Sequence, residues 1–222
     1  MTILARSRWP AAWFVFFALG ACSAMACGVD SSSESGYFPI GETGEPTKIE
    51  YSVKDGLALY EGDILLGTPA TQVAPRIAGW LDADIVRTPP APATKYRWPD
   101  KIIPYSIDPG LGDRTRITRA IEQWETKTSL VFVARTPANA ATYPDYVVFR
   151  SGKGCHSSVG RSGGVQYVSL SSHCTTANTI HEIGHAVGLW HSSQDDTSIM
   201  REGGQRETLG AGDIDVVKRL YP

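Results

Sequence analysis

With 222 residues, of which 42% are hydrophobic and 20% charged, the chain has room for one moderate globular domain and something smaller beside it. Its formal net charge of −2 excludes the clustered Lys and Arg of a nucleic-acid footprint, so nucleic acid is not an expected partner.

At the N-terminus, Arg6 and Arg8 precede an apolar run over 11–19. That run is too short to span a bilayer and suits a signal peptide, so residues 1–27 are set aside as an export segment. Two processing readings stand. Leu19-Gly20-Ala21-Cys22 resembles a bacterial lipobox with Cys22 as the lipidated residue, whereas Ala24-Met25-Ala26 offers an ordinary small-residue cleavage site. The Ser-rich stretch 31–36 would serve as a flexible tether and favours the lipobox. One acyl chain holds a membrane only marginally, so anchoring would need the multiply acylated form of bacterial lipoproteins. The expected location is outside a bacterial cell, at its surface through that lipid anchor or freely secreted, and no other membrane contact is expected.

Residues 28–95 carry short extended-looking runs at 49–53 and 63–66 and end in a Pro-rich stretch, 87–93, that reads as a linker. The elements after it are stronger. A strand is expected over 102–107, with Pro104 pointing to an edge or a bulge. A helix follows over about 113–126, where Ile117, Ala120, Ile121 and Trp124 recur at the spacing of one buried face. Further strands are expected at 130–133, 146–149 and 165–170, and two helical segments close the chain. This pattern is an α+β domain built on one mixed sheet of about four to five strands. Two cysteines, Cys155 and Cys174, fall inside it. In an oxidising compartment they can pair across a short loop, worth about 3 kcal/mol in the chain-entropy model, with two free buried thiols as the alternative.

The chemistry is concentrated in eleven residues, 181–191, that hold three of the chain's five histidines. In a helix over about 177–189, His181 and His185 lie one turn apart on one face, so both imidazoles can reach one ion at about 2.0–2.1 Å. Gly188 can take the left-handed conformation that ends a helix, and the chain then turns to bring in His191 as a third ligand. Three protein ligands leave the fourth tetrahedral position of a single Zn2+ open, as in catalytic rather than structural sites. Glu182 is then the expected general base, taking a proton from water and passing it to the leaving amine. The extended pattern is that of the metzincins. Merely solvated histidines would not need Gly188 and His191, and a metal site without catalysis would not need Glu182.

Tyr96-Arg97-Trp98-Pro99, Ile103-Pro104-Tyr105, Gly154-Cys155-His156-Ser157-Ser158-Val159-Gly160-Arg161, Gln166-Tyr167-Val168-Ser169-Leu170 and Cys174 carry a closer likeness. Over 96–189 the chain resembles the astacin family of metzincin peptidases. The resemblance implies a zincin-like catalytic domain over 96–222, with a twisted mixed sheet, a zinc-binding active-site helix and a C-terminal helix near Asp213. It implies that Cys155 and Cys174 are bonded. It also implies that Val165–Leu170, with Gln166, Tyr167, Val168 and Ser169, is the edge strand on which substrate lies. An extended peptide adding to such an edge gains main-chain hydrogen bonds, which favours endopeptidase action on unfolded or loop segments. Beyond His191 the likeness shifts to the matrixin branch, where Met200 would form the Met-turn beneath the metal.

Three positions depart from the astacin pattern: Ser192 where a glutamate is expected, Glu202 where a switchable tyrosine ligand is expected, and Leu130 near a missing cysteine. Tyr60-Glu61-Gly62-Asp63-Ile64 resembles the motif by which astacins stay latent. That likeness implies that 28–95 is a pro-segment and that Asp63 blocks the zinc, a carboxylate being a good ligand at about 2.0–2.2 Å. The plain alternative is a solvent-facing acid in a Gly-containing turn. Activation would need an activating protease to cut between 67 and 96, with Arg76 and Arg87 as candidate sites. The expected function is a zinc-dependent endopeptidase acting on protein or peptide and made as a zymogen. Two other classes stay open, a cell-surface binding module braced by zinc and a zinc amidase acting on a non-peptide substrate.

Overall fold

The computed structural model describes residues 32–40, 45–67, 96–192 and 197–222. Residues 1–27, expected as an export segment with Cys22, the Pro-rich stretch 87–93 expected as a linker, and the candidate cleavage sites Arg76 and Arg87 lie outside the described residues. The strands are β1 (Ser32–Ile40), β2 (Glu45–Lys54), β3 (Leu57–Tyr60), β4 (Ile64–Gly67), β5 (Ile102–Ile107), β6 (Val131–Ala134), β7 (Tyr146–Ser151), β8 (Cys155–Ser157) and β9 (Val165–Leu170). The helices are α1 (Thr115–Lys127), α2 (Thr176–Val187) and α3 (Ala211–Leu220). All nine strands join in one sheet, ordered β1-β2-β3-β4-β8-β9-β7-β5-β6.

The class is the expected α+β. Five of the strands, β5 to β9, follow the linker, and the four before it lengthen the same sheet beyond the expected four to five. Those four form an antiparallel meander. Its β2–β3 turn is made by Asp55 and Gly56, both left-handed at φ 52° and 76°, the backbone that two-residue hairpins require. The meander joins the rest through a parallel bridge, Ile64 to Ser157, between β4 and β8, and Ser157 N–H donates to the Asp63 carbonyl at 3.1 Å.

The core lies between the parallel strands and the helices. On α1 the expected stripe of Ile117, Ala120, Ile121 and Trp124 is buried, each large member contributing about 1.5–3 kcal/mol relative to exposure. Trp124 also donates its indole N–H to the Ile180 carbonyl at 3.1 Å, which sets α1 against α2. Cys155 and Cys174 form a disulfide, which ties β8 to the loop that enters α2.

Two expectations are corrected. Pro104 sits in an interior strand, not at an edge or bulge, because β5 runs between β6 and β7. Tyr105 carbonyl accepts from Arg135 N–H at 2.6 Å toward β6, so by alternation the Pro104 nitrogen faces β7. The ladder with β7 begins only at Tyr105, so no bond is lost at Pro104. Nor is Val165–Leu170 an edge strand. It is flanked by β7 in parallel and by β8 in antiparallel, and β8 is the strand that meets β4. Among the described residues no helix is long and apolar enough to cross a membrane.

Candidate metal centre

Helix α2 begins with a reciprocal cap. Thr175 Oγ1 accepts the Asn178 N–H at 3.3 Å while Asn178 Oδ1 accepts the Thr175 N–H at 2.9 Å, satisfying two otherwise orphaned donors. The helix ends at Gly188, whose φ of 115° is left-handed, as its sequence position suggested. A helix leaves its last carbonyls without internal partners, and here each finds one. Gly184 accepts from Leu189 N–H at 2.9 Å, His185 from Gly160 N–H at 2.8 Å, Ala186 from the Trp98 indole at 2.8 Å and Val187 from the Tyr221 hydroxyl at 2.7 Å. The helix that carries two of the histidines is therefore clamped at its end by residues as far apart in the chain as Trp98 and Tyr221.

The structure brings His181, His185 and His191 together with Asp63, their ligand atoms all within 4.8 Å of one another. Asp63 approaches the Nε2 atoms of His181, His185 and His191 at 3.4, 3.6 and 2.9 Å, and His181 and His191 Nε2 are 3.1 Å apart. Atoms bound to one zinc at about 2.0–2.2 Å in a tetrahedron stand about 3.3–3.5 Å apart, so the cluster has the size of a zinc site. The outer nitrogens agree. Nδ1 of His181 is 2.8 Å from the Ile199 carbonyl, and Nδ1 of His185 is 2.8 Å from the Leu189 carbonyl. A carbonyl can only accept, so each Nδ1 carries its proton and each Nε2 turns a lone pair toward the cluster. Asp63 Oδ1 and His185 Nε2 are buried without a hydrogen-bond partner, as metal ligands in a dry site would be. The residues fit one zinc ion.

The charges are strongly coupled. Burial alone would push Asp63 up, but the three histidine rings outweigh it and hold its carboxyl far below the usual range. Burial pulls His185 down to about 4. It also acts downward on His191, yet Asp63 and Glu61 outweigh it and raise that imidazole to about 9. Glu182 is 1% exposed, and its Oε2 has no partner. Burial, with the Asp63 charge adding to it, pushes Glu182 well above the ordinary carboxylate range.

Met200, 1% exposed, packs against the helix that carries His181 and His185. It fills the place a side chain on Gly184 would take, since a Cβ there would meet the Met200 sulfur and the Trp124 ring. Ser192 N–H donates to the Met200 carbonyl at 2.8 Å, fixing the turn that carries His191. Glu202 is exposed and stands at the rim of a cleft of about 500 Å3 together with Asp63, His156, His181 and Glu182. In β9, Gln166 is buried and its side-chain amide donates to the Gly160 carbonyl at 2.9 Å, while Tyr167 faces out beneath the Arg150 guanidinium. Val168 and Ser169 are buried. Val168 and Ser169 present no free strand edge, since β8 covers β9 along 168–170.

Sequence reasoning missed several partners. Glu61 stands two residues before Asp63, and its Oε2 lies 3.0 Å from His191 Nδ1. Asp213 accepts from Ser198 Oγ, Ile199 N–H and Gly210 N–H, tying α3 to the Met200 turn. His156 is 3% exposed at the cleft with an unpartnered Nε2. Only Asp213 had a sequence signal, an acid near a helix start. The other contacts depend on strands that meet far from one another in the chain.

Histidines on a helix and its following turn, over a buried methionine and beneath a mixed sheet, define the metzincin class of zinc site. Residues 91–198 match the family model of Astacin (Peptidase family M12A), so this segment is that of an astacin-like metzincin zinc metallopeptidase. It is 37% identical over 158 residues to zinc metalloproteinase nas-4 of Caenorhabditis elegans, a match covering 69% of this chain and 47% of that protein. It is 41% identical over 100 residues to a bone morphogenetic protein 1 homolog of Strongylocentrotus purpuratus, covering 43% and 16%. The chain thus spans less than half the length of these relatives. A solved structure of High choriolytic enzyme 1, a hatching enzyme zinc-protease of the medaka Oryzias latipes, shares the fold, with a TM-score of 0.50 at 22% identity over 58% of this chain and 95% of that one.

Proposed function

We propose that the chain is the latent precursor of an exported zinc endopeptidase, with His181, His185 and His191 holding the metal and Asp63 occupying the fourth position until the pro-segment is removed. The observation that carries this is the meeting of three Nε2 atoms and one pro-segment carboxylate within 4.8 Å, beside the buried Glu182. When bound, zinc supplies Lewis acidity, lowering the pKa of water to about 7 and polarising a carbonyl. Glu182 then accepts a proton from water and returns it to the leaving amine. While docked, Asp63 would stand where the water is needed, which favours latency.

A peptide substrate is favoured over a non-peptide amide by what already lies on the sheet. Strand β4 of the pro-segment reaches β8 as an extended chain through Ile64 and Ser157, and once it leaves, β8 offers a free edge for a peptide strand. The substrate strand in this reading is β8 and not β9. Export agrees with the disulfide, which persists in oxidising compartments, and the zinc metalloproteinase named among the relatives points to the same reaction. Lipid attachment at Cys22 and an activating protease cutting between 67 and 96 belong to the same proposal. The test is digestion of an unfolded protein by the chain after trimming with trypsin, against the same preparation carrying Glu182→Gln. A loss of about 10²–10⁴-fold is expected from removing a general base; an unchanged rate would refute the role of Glu182.

A further inference from the structure

We infer that Glu61 is a positioning residue for the metal, acting through His191, so that the segment before the linker strengthens zinc binding as well as blocking it. This rests on the reading of that segment as removable. Each of the three histidines turns its Nδ1 to an acceptor, but the acceptors differ in origin. For His181 and His185 they are main-chain carbonyls of Ile199 and Leu189, which remain with the catalytic segment. For His191 the acceptor is the Glu61 carboxylate at 3.0 Å, 130 residues earlier in the chain. His191 is also the histidine that lies beyond the helix, on the turn tied to Met200.

The local backbone supports a dedicated role. Glu61 and Gly62 are both left-handed, at φ 48° and 92°, and this tight turn delivers Glu61 and Asp63 to the same imidazole, one at each ring nitrogen. Glycine takes such a backbone most readily, yet a side chain is kept at 61, and it reaches His191. The edge of Tyr60 on Trp190, with centroids 5.9 Å apart, holds the turn in register beside His191. An acceptor on the outer nitrogen fixes a ligand's tautomer and ring orientation and raises its basicity, and losing it lowers metal affinity by about 10–100-fold. Cleavage before the catalytic segment therefore removes two supports at once, Asp63 from the metal and Glu61 from His191. The precursor is the tighter zinc binder, and His191 becomes the least constrained ligand of the mature form.

The test is the zinc affinity of the uncleaved chain, measured by competition with a chromophoric chelator for wild type, Glu61→Gln and Glu61→Ala. Alanine at 61 keeps the same backbone demand as glutamate and removes only the reach to His191. The expected result is a loss of about 10–100-fold for Glu61→Ala, recovered to within a few-fold in Glu61→Gln, whose side-chain carbonyl still accepts. The visible spectrum of the cobalt-loaded chain should shift in Glu61→Ala alone, a change that a loosened turn remote from the metal would not produce. Zinc binding by Glu61→Ala within twofold of wild type would overturn the inference, as would equal losses in both variants. Asp63→Ala, assayed alongside for cleavage of an unfolded protein, tests latency separately. Its failure would remove the zymogen reading and leave the Glu61 comparison intact.

Discussion

Asp213, in the first turn of α3, accepts the N–H of Ile199 at 2.9 Å, and the carbonyl of that same Ile199 lies 2.8 Å from His181 Nδ1. A carboxylate on the C-terminal helix thus sets the orientation of a candidate zinc ligand through the backbone of one residue, Ile199. Asp213→Ala would orphan the Ile199 and Gly210 N–H groups and Ser198 Oγ. Each buried orphan costs about 1–3 kcal/mol. A fall in melting temperature of at least about 6 °C is expected for a chain of this size, with weaker zinc binding. Asp213→Asn, which keeps one acceptor oxygen, should fall between the two in thermal denaturation.

Gly184 and Met200 divide one space. Gly184→Ala should cost about 1–3 kcal/mol by overpacking against Met200 and Trp124, even though alanine is the better helix former by about 1 kcal/mol. Met200→Ala should cost about 2–5 kcal/mol by leaving a cavity. Because the methyl introduced at position 184 would point into that cavity, the double variant should be less destabilised than the sum. Urea denaturation of the four proteins checks this, and simple additivity would contradict the shared space.

The charges at His191 predict a pH dependence for metal uptake. In the metal-free chain its pKa is raised from 6.5 to about 9, Asp63 and Glu61 outweighing burial. A raised folded-state value contributes stability that is fully present below about 6.5 and is lost as pH climbs through about 9. Zinc needs the Nε2 lone pair, so loading near pH 7 should release a proton from His191, and above about 9 this release should vanish. Calorimetry in buffers of different ionisation enthalpy, in the Glu182→Gln background to remove that carboxyl's own proton, reads the number directly.

Local chemistry made much of this site readable in advance. The spacing of His181 and His185, the left-handed Gly188 and the stripe from Ile117 to Trp124 follow from the helix repeat alone, and α2 and α1 carry them where expected. Strand neighbours do not follow from local pattern. Pro104 reads as an edge signal, yet β5 is interior and tolerates it because the ladder on that side starts one residue later. Val165–Leu170 reads as a substrate edge, yet the three-residue β8 lies outside it, and a strand that short leaves almost no periodic signal. Glu61 is silent in sequence because its partner, His191, is supplied by tertiary packing.

The most direct measurement is cleavage of a fluorescent unfolded protein by the uncleaved, zinc-loaded chain in three forms: wild type, Asp63→Ala, and Asp63→Ala with Glu182→Gln. If Asp63 blocks the metal and Glu182 is the base, wild type is silent, Asp63→Ala cleaves without any cut in its own chain because loss of the Asp63 anchor lets a peptide displace the single β4–β8 bridge at Ile64 and Ser157, and the double variant is silent again. A folded, zinc-loaded Asp63→Ala chain that fails to cleave, or a wild-type chain that cleaves while intact, would contradict it.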